Sequence, residues 1–245
     1  MKTLLLLFVV TFAYNCSYTQ IVEKINLQFQ GAQYDVITIK IDSSVSSRFQ
    51  LVDNFLLLSE RKLVDSLSKK GIFLMSSAGV VDSACNFLGL SISSGNKSQA
   101  INLADGAGNF FLKPNGFIGI NGNGIVVKKT EYYLPSANYV TAVQSGPMLI
   151  ADDTINSKFD KNSKNRNFRV GVGIYTVKAD SYIVFATALV PVTFYQFASL
   201  FAEKFKCNNA LNLESGTNCS LRLPSSKRIA DSTRVLCKFL YLPLK

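Results

Sequence analysis

Histidine is missing from all 245 residues, and its absence removes several chemistries at once. No Ser-His-Asp triad, Cys-His dyad or imidazole general base can operate in this chain. Any catalysis rests on carboxylates, hydroxyls, amides, Lys, Arg or Tyr. Zinc is disfavoured for the same reason, since the five cysteines include no closely spaced pairs that could replace imidazole. No acidic spacing of a calcium loop is present, so no metal or other cofactor is assigned. Charged residues make up only 17% of the chain. Beyond the N-terminus no segment stays apolar long enough to cross a bilayer. No internal repeat, second domain boundary or nucleic-acid module can be read.

What is present argues for a packed domain. Hydrophobic residues reach 48%, and 18 Phe and 10 Tyr are spread along the chain, which is unlike disordered sequence. Residues 1–20 read as a secretory signal: Lys2, an apolar run over 4–13, then small and polar residues. Residues 21–245 then form one exported domain, secreted or held in the periplasm or cell envelope. Cys16 stands roughly where a lipoprotein leader places its lipidated cysteine, although Asn15 departs from the small residue favoured before the cut. A removed leader is the preferred reading, and a lipid anchor at Cys16, the one membrane attachment considered, is the alternative. The other four cysteines allow one or two disulfides, with three full pairings that sequence does not separate. The net charge of +10 favours anionic partners such as phosphodiesters, anionic glycans or lipid head groups over nucleic acid, with solvated surface charge as the plain alternative. Nothing in the sequence sets an oligomeric state.

Alternation over 34–41 predicts a strand. Residues 59–70 predict a helix with Leu63, Val64 and Leu67 on one face, followed by Gly71. From 87 to 133 short strands alternate with turn signals at Gly95-Asn96, Asn115-Gly116 and residues 121–124, and 116–127 reads as a hairpin. Strands follow over 139–150, 169–175 and 181–189. Pro191 and Thr193 open a helix whose Phe194, Phe197, Ala198, Phe201 and Phe205 form an apolar stripe. Residues 210–213 are short and apolar, as expected of a strand inside a sheet. The tail from Pro224 carries no strong signal. This order predicts an α+β (mixed α/β) fold, with helices packed on a largely antiparallel mixed sheet.

Four motifs stand in order. They are Gly108-Asn109-Phe110-Phe111-Leu112-Lys113-Pro114-Asn115-Gly116, Gln144-Ser145-Gly146-Pro147-Met148-Leu149-Ile150, Arg169-Val170-Gly171-Val172-Gly173-Ile174, and the helix–Cys207–strand–Glu214 block. Each has a plain reading: Ser145-Gly146-Pro147 as a tight turn, Arg169 as a surface strand end, Asn115 as part of an Asn-Gly turn. Each also has a functional one. A hydroxyl and backbone N–H groups at a turn suit an oxyanion or phosphate, a guanidinium suits bidentate anion capture, and the Asn109 amide suits sugar hydroxyls. Gly171 and Gly173 suit close backbone packing.

Together the motifs resemble the phosphodiester glycosidase family, and within it the uncharacterised bacterial branch, as a divergent member. The resemblance implies that Glu214 takes the place of the family's Asp as acid or base. It further implies that Arg169 and Ser145 share the catalytic cleft, and that Gln144, Ser77, Asn109, Gly146 and Gly216 contact a sugar phosphodiester or related glycan. Two positions depart from the family pattern. Ser77 stands in Ser77-Ala78-Gly79 where the family has Asn, and Glu214-Ser215 replaces Asp-Gly. These changes keep a second reading open, a catalytically silent envelope protein that binds an anionic glycan on the same fold. A structural domain without a site is the third. Convergence of Ser77, Ser145, Arg169 and Glu214 separates a site from a bare scaffold.

Overall fold

The computed structural model describes residues 21–54, 56–68, 71–222 and 235–243. The leader with Cys16, Lys69-Lys70 and residues 223–234 of the tail lie outside the described residues. The fold is α+β, built on three sheets rather than one. A seven-stranded sheet runs in the order Ile21–Phe29, Ala32–Lys40, Asp180–Ala188, Arg169–Val177, Asn209–Ser215, Met148–Ala151 and Thr154–Ile155. A five-stranded sheet orders Asn96–Gln99, Ser91–Ser93, Thr141–Ser145, Gly116–Asn121 and Gly124–Lys129. A four-stranded sheet orders Leu221–Arg222, Ile72–Ser77, Lys238–Pro243 and Gln50–Asp53. The pairings among these strands are antiparallel.

The seven-stranded sheet is covered on both faces, and strand periodicity divides its residues between them. Ile37, Phe185, Val170, Val172 and Leu211 point into the core shared with the other two sheets. Their neighbours Val36, Val184, Ala186 and Ala210 point the other way, against Phe197, Ala198 and Phe201. Those three belong to the Phe-rich stripe, which forms the helix Phe194–Ser199 continued by a π turn over Leu200–Lys204. A reciprocal capping box starts this helix: Thr193 Oγ1 accepts from Gln196 N at 3.1 Å, and Gln196 Oε1 accepts from Thr193 N at 3.2 Å.

The sequence expectations for the hairpin, the Gly95 turn and the strand over 210–213 match observed elements. The tail is different. Phe239 to Leu242 are almost fully buried, and their strand lies between Ile72–Ser77 and Gln50–Asp53. Its six residues are too short to advertise a period. Asn115-Gly116 is also not a hairpin turn, because Gly116 already begins a strand. Helix Glu60–Ser68 packs Leu63, Val64 and Leu67 against Met75, Phe239 and Tyr241. Of the cysteines, Cys85 pairs with Cys237, while Cys207 and Cys219 are buried and not disulfide-bonded.

Gly173 shows why a strand facing this helix needs glycine. A Cβ there meets Cys207 Sγ at 2.7 Å and Phe201 Cδ1 at 2.8 Å. Gly173→Ala therefore overpacks the layer and is expected to destabilise the protein by about 1–3 kcal/mol, read as a lower urea midpoint with an unchanged urea dependence.

Candidate active site

A crevice opens at the C-terminal end of the strand Asn209–Ser215. Its volume is about 200 Å³, and it is lined by Val80, Leu88, residues 107–111, Gly146, Asn212, Glu214 and Ser215. The wall over 107–111 is a short 3₁₀ turn, Asn109–Phe111, entered through Gly108 at φ 89°. That left-handed backbone favours glycine.

The opposite wall depends on a register break. Arg169 pairs with Ser215 and Val170 with Glu214, but Gly171 pairs with Asn212, leaving Leu213 as an extra residue. In an unbroken strand, residues three apart point to opposite faces. The bulge brings Asn212 and Ser215 to one side, where Ser215 Oγ donates to Asn212 Oδ1 at 3.2 Å. Asn212 Nδ2 in turn donates to Gly146 O at 3.1 Å. Consecutive residues Glu214 and Ser215 can therefore both line the crevice.

Glu214 is its one ionisable lining residue. Burial pushes its carboxyl up from 4.5 to about 7, against the opposing pull of the Ser215 N–H, which donates to Oε1 at 2.9 Å. Near neutral pH such a carboxyl exists in both protonation states and can give or take a proton.

Arg169 stands behind this wall and is 0% exposed. Its Nε donates to Val192 O at 3.0 Å and its Nη1 to Ser215 Oγ at 2.9 Å, while the guanidinium lies 3.5 Å from the centre of the Phe194 ring. Burial lowers its pKa to about 10, opposed by Cys219, so it remains charged at neutral pH.

The other residues singled out in the sequence fall into two groups. Asn109 and Gly146 line the crevice with Glu214. Ser77, Gln144, Ser145 and Gly216 do not. Ser145 is buried, and its hydroxyl donates to Leu213 O at 3.0 Å, so it braces the bulged residue. Gln144 ties down the chain leading to the 107–111 wall: its Oε1 accepts from Leu90 N and Asn102 N, and its Nε2 donates to Asn102 O. Ser77 Oγ accepts from Ser220 N at 3.1 Å, beside a Ser220 hydroxyl that donates to the buried Glu60. Gly216 follows the acid at φ 90° and anchors the strand exit through its N–H to Phe168 O. Sequence reading passed over Asn212 as part of an apolar strand. Its signal was a polar residue in that strand, which must find partners when buried.

This geometry can be set beside known proteins. Residues 71–231 match the phosphodiester glycosidase family. The uncharacterized protein YigE of Escherichia coli K12 is 32% identical over 152 residues, covering 62% of this chain and 59% of that relative. The chain thus spans less than two thirds of that relative's length. Among solved structures, the catalytic domain of zebrafish N-acetylglucosamine-1-phosphodiester alpha-N-acetylglucosaminidase, auto-inhibited by its pro-peptide, superposes with a TM-score of 0.60 at 15% identity. That match covers 95% of this chain and 86% of the zebrafish domain. A hypothetical protein from Synechocystis gives 0.56 at 12% identity, covering 89% and 61%. At such identities these structures establish the shared fold, while the match over 71–231 settles kinship: the chain belongs to the phosphodiester glycosidase family.

Proposed function

We propose that this protein is an exported hydrolase of sugar-1-phosphodiesters or a related glycan linkage, with Glu214 as the proton donor and acceptor of its crevice. The observation that carries this reading is a single carboxyl, shifted by burial to about 7, at the bulged strand end beside Asn212 and Ser215. The phosphate of a sugar-1-phosphodiester is already a good leaving group. This reduces the demand on the protein to one positioned carboxyl, to activate water or assist departure, and a nearby positive charge, here Arg169 behind the wall. Asn109, across the crevice, offers an amide to sugar hydroxyls. Export is supported by the disulfide Cys85–Cys237, since such bonds persist in oxidising compartments. Release of the protein with the periplasmic or secreted fraction of expressing cells is the expected outcome; retention in the cytosol counts against export.

The second reading, a catalytically silent envelope protein that binds an anionic glycan, is supported by Ser77 and Glu214-Ser215, the two departures from the family's residues. The cation-free lining of the crevice counts against an anionic ligand there. Turnover separates the two. Glu214→Gln is expected to lower kcat/KM on a model sugar phosphodiester by about 10²–10⁴-fold. With Glu214 as general acid, wild-type kcat/KM falls as pH rises through about 7. Saturable glycan binding without turnover by the wild type selects the second reading.

Stability gives an independent check on the same group. A carboxyl with a raised folded-state pKa contributes its stabilisation in full below the ordinary value of 4.5, and loses it as pH rises through about 7. Gln cannot ionise, so the variant escapes this loss, on the order of 2–3 kcal/mol at pH 8. Glu214→Gln should melt several degrees above wild type at pH 8, with the gap closing by pH 4. Equal melting temperatures at both pH values would show that the acid is not buried as described.

A further inference from the structure

Arg169 holds a full positive charge beside a crevice whose lining contains no cation. One hydroxyl accounts for this. Nη1 of Arg169 reaches Ser215 Oγ, and Ser215 lies on the crevice wall. Nε is taken by Val192 O, and Phe194 covers a face of the guanidinium.

The hydrogen-bond directions fix what Ser215 offers a ligand. A hydroxyl has one proton and two lone pairs. Its proton goes to Asn212 Oδ1, an oxygen whose orientation is set because Asn212 Nδ2 donates to Gly146 O. One lone pair accepts from Arg169 Nη1. The group left for a ligand is the second lone pair, an acceptor with no donor to give.

We propose that Ser215 is the specificity-determining residue of this crevice: it caps the Arg169 guanidinium and turns an anion-binding corner into a neutral acceptor for a ligand hydroxyl. This assignment rests on reading the crevice as a glycan site. Phosphate oxygens, themselves acceptors, find no donor on Ser215, whereas a sugar hydroxyl does find an acceptor. The corner therefore takes the uncharged sugar, and a phosphate carried by the same substrate lies toward the mouth. Charge selection here is set by residue 215, which decides whether the Arg169 charge reaches a ligand.

The test uses inorganic sulfate, an oxyanion that has no proton to donate, as the probe at pH 5.5, with binding followed by titration calorimetry and by the sulfate-dependent rise in melting temperature. Ser215→Gly removes the cap without adding bulk and frees Nη1 for a charge-assisted bond. Its sulfate affinity is expected to exceed wild type by about tenfold or more. Ser215→Ala should show the same gain, and Ser215→Thr, which keeps a hydroxyl, should show none. Sulfate held at surface lysines is common to all four proteins and cancels in the comparison. The proposal is overturned if wild type binds sulfate as tightly as Ser215→Gly, or if neither Gly nor Ala gains affinity while both remain folded by urea titration. Because the probe is not turned over, an inactive protein that gains sulfate binding refutes hydrolysis alone. An active one without the gain refutes only the cap.

Discussion

One extra residue in one strand organises the whole crevice. Leu213 has no partner on the neighbouring strand, so its carbonyl is free to take the Ser145 hydroxyl, and the residues on either side are re-aimed. Asn212 and Ser215 come together on one side, Glu214 enters the wall, and Arg169 locks the arrangement from behind. Segments at residues 145–146, 169, 192 and 212–215, far apart in sequence, thus meet through side-chain hydrogen bonds at one strand end. An ordinary alternating strand would have separated the polar residues between two faces and left each unpaired in the core, at a cost of about 1–3 kcal/mol for every unsatisfied group.

The low polarity of the surroundings sets the chemistry in opposite ways at two neighbouring positions. Burial favours the neutral form of Glu214 and also weakens the hold of Arg169 on its proton. The acid is brought close to neutrality and becomes able to exchange a proton. The guanidinium starts from so high a value that it remains charged, and its charge is satisfied by a carbonyl, a hydroxyl and an aromatic face instead of a carboxylate. The crevice therefore keeps a titratable acid without an ion pair to suppress its titration.

Much of the fold was legible because it rests on local rules. The Phe stripe buried as its spacing required, Thr193 capped its helix, and Asn121 to Gly124 made the hairpin turn. Gly173 was legible as a close approach, and the contact with Cys207 explains it. Glu214 at the strand exit and Asn109, both singled out from motif and order, line the same crevice. What could not be read depends on register. The Leu213 bulge leaves no mark in composition, and without it Asn212 reads as one more strand residue. The same holds for Ser145 and Gln144, whose side chains turn toward the backbone that shapes the crevice. The strand Lys238–Pro243 was missed because its place is set by partners residing far away in the chain.

That last strand constrains how the molecule can be assembled. It lies in the interior of the four-stranded sheet, so Ile72–Ser77 and Gln50–Asp53 have no direct pairing with each other and wait for it. On a ribosome both would be made long before their common neighbour, presenting unsatisfied backbone edges in the interval. Nascent chains lacking residues 238–243 are consequently exposed to strand-mediated self-association. Sequence order alone delays closure of the four-stranded sheet until residues 238–243 have been made.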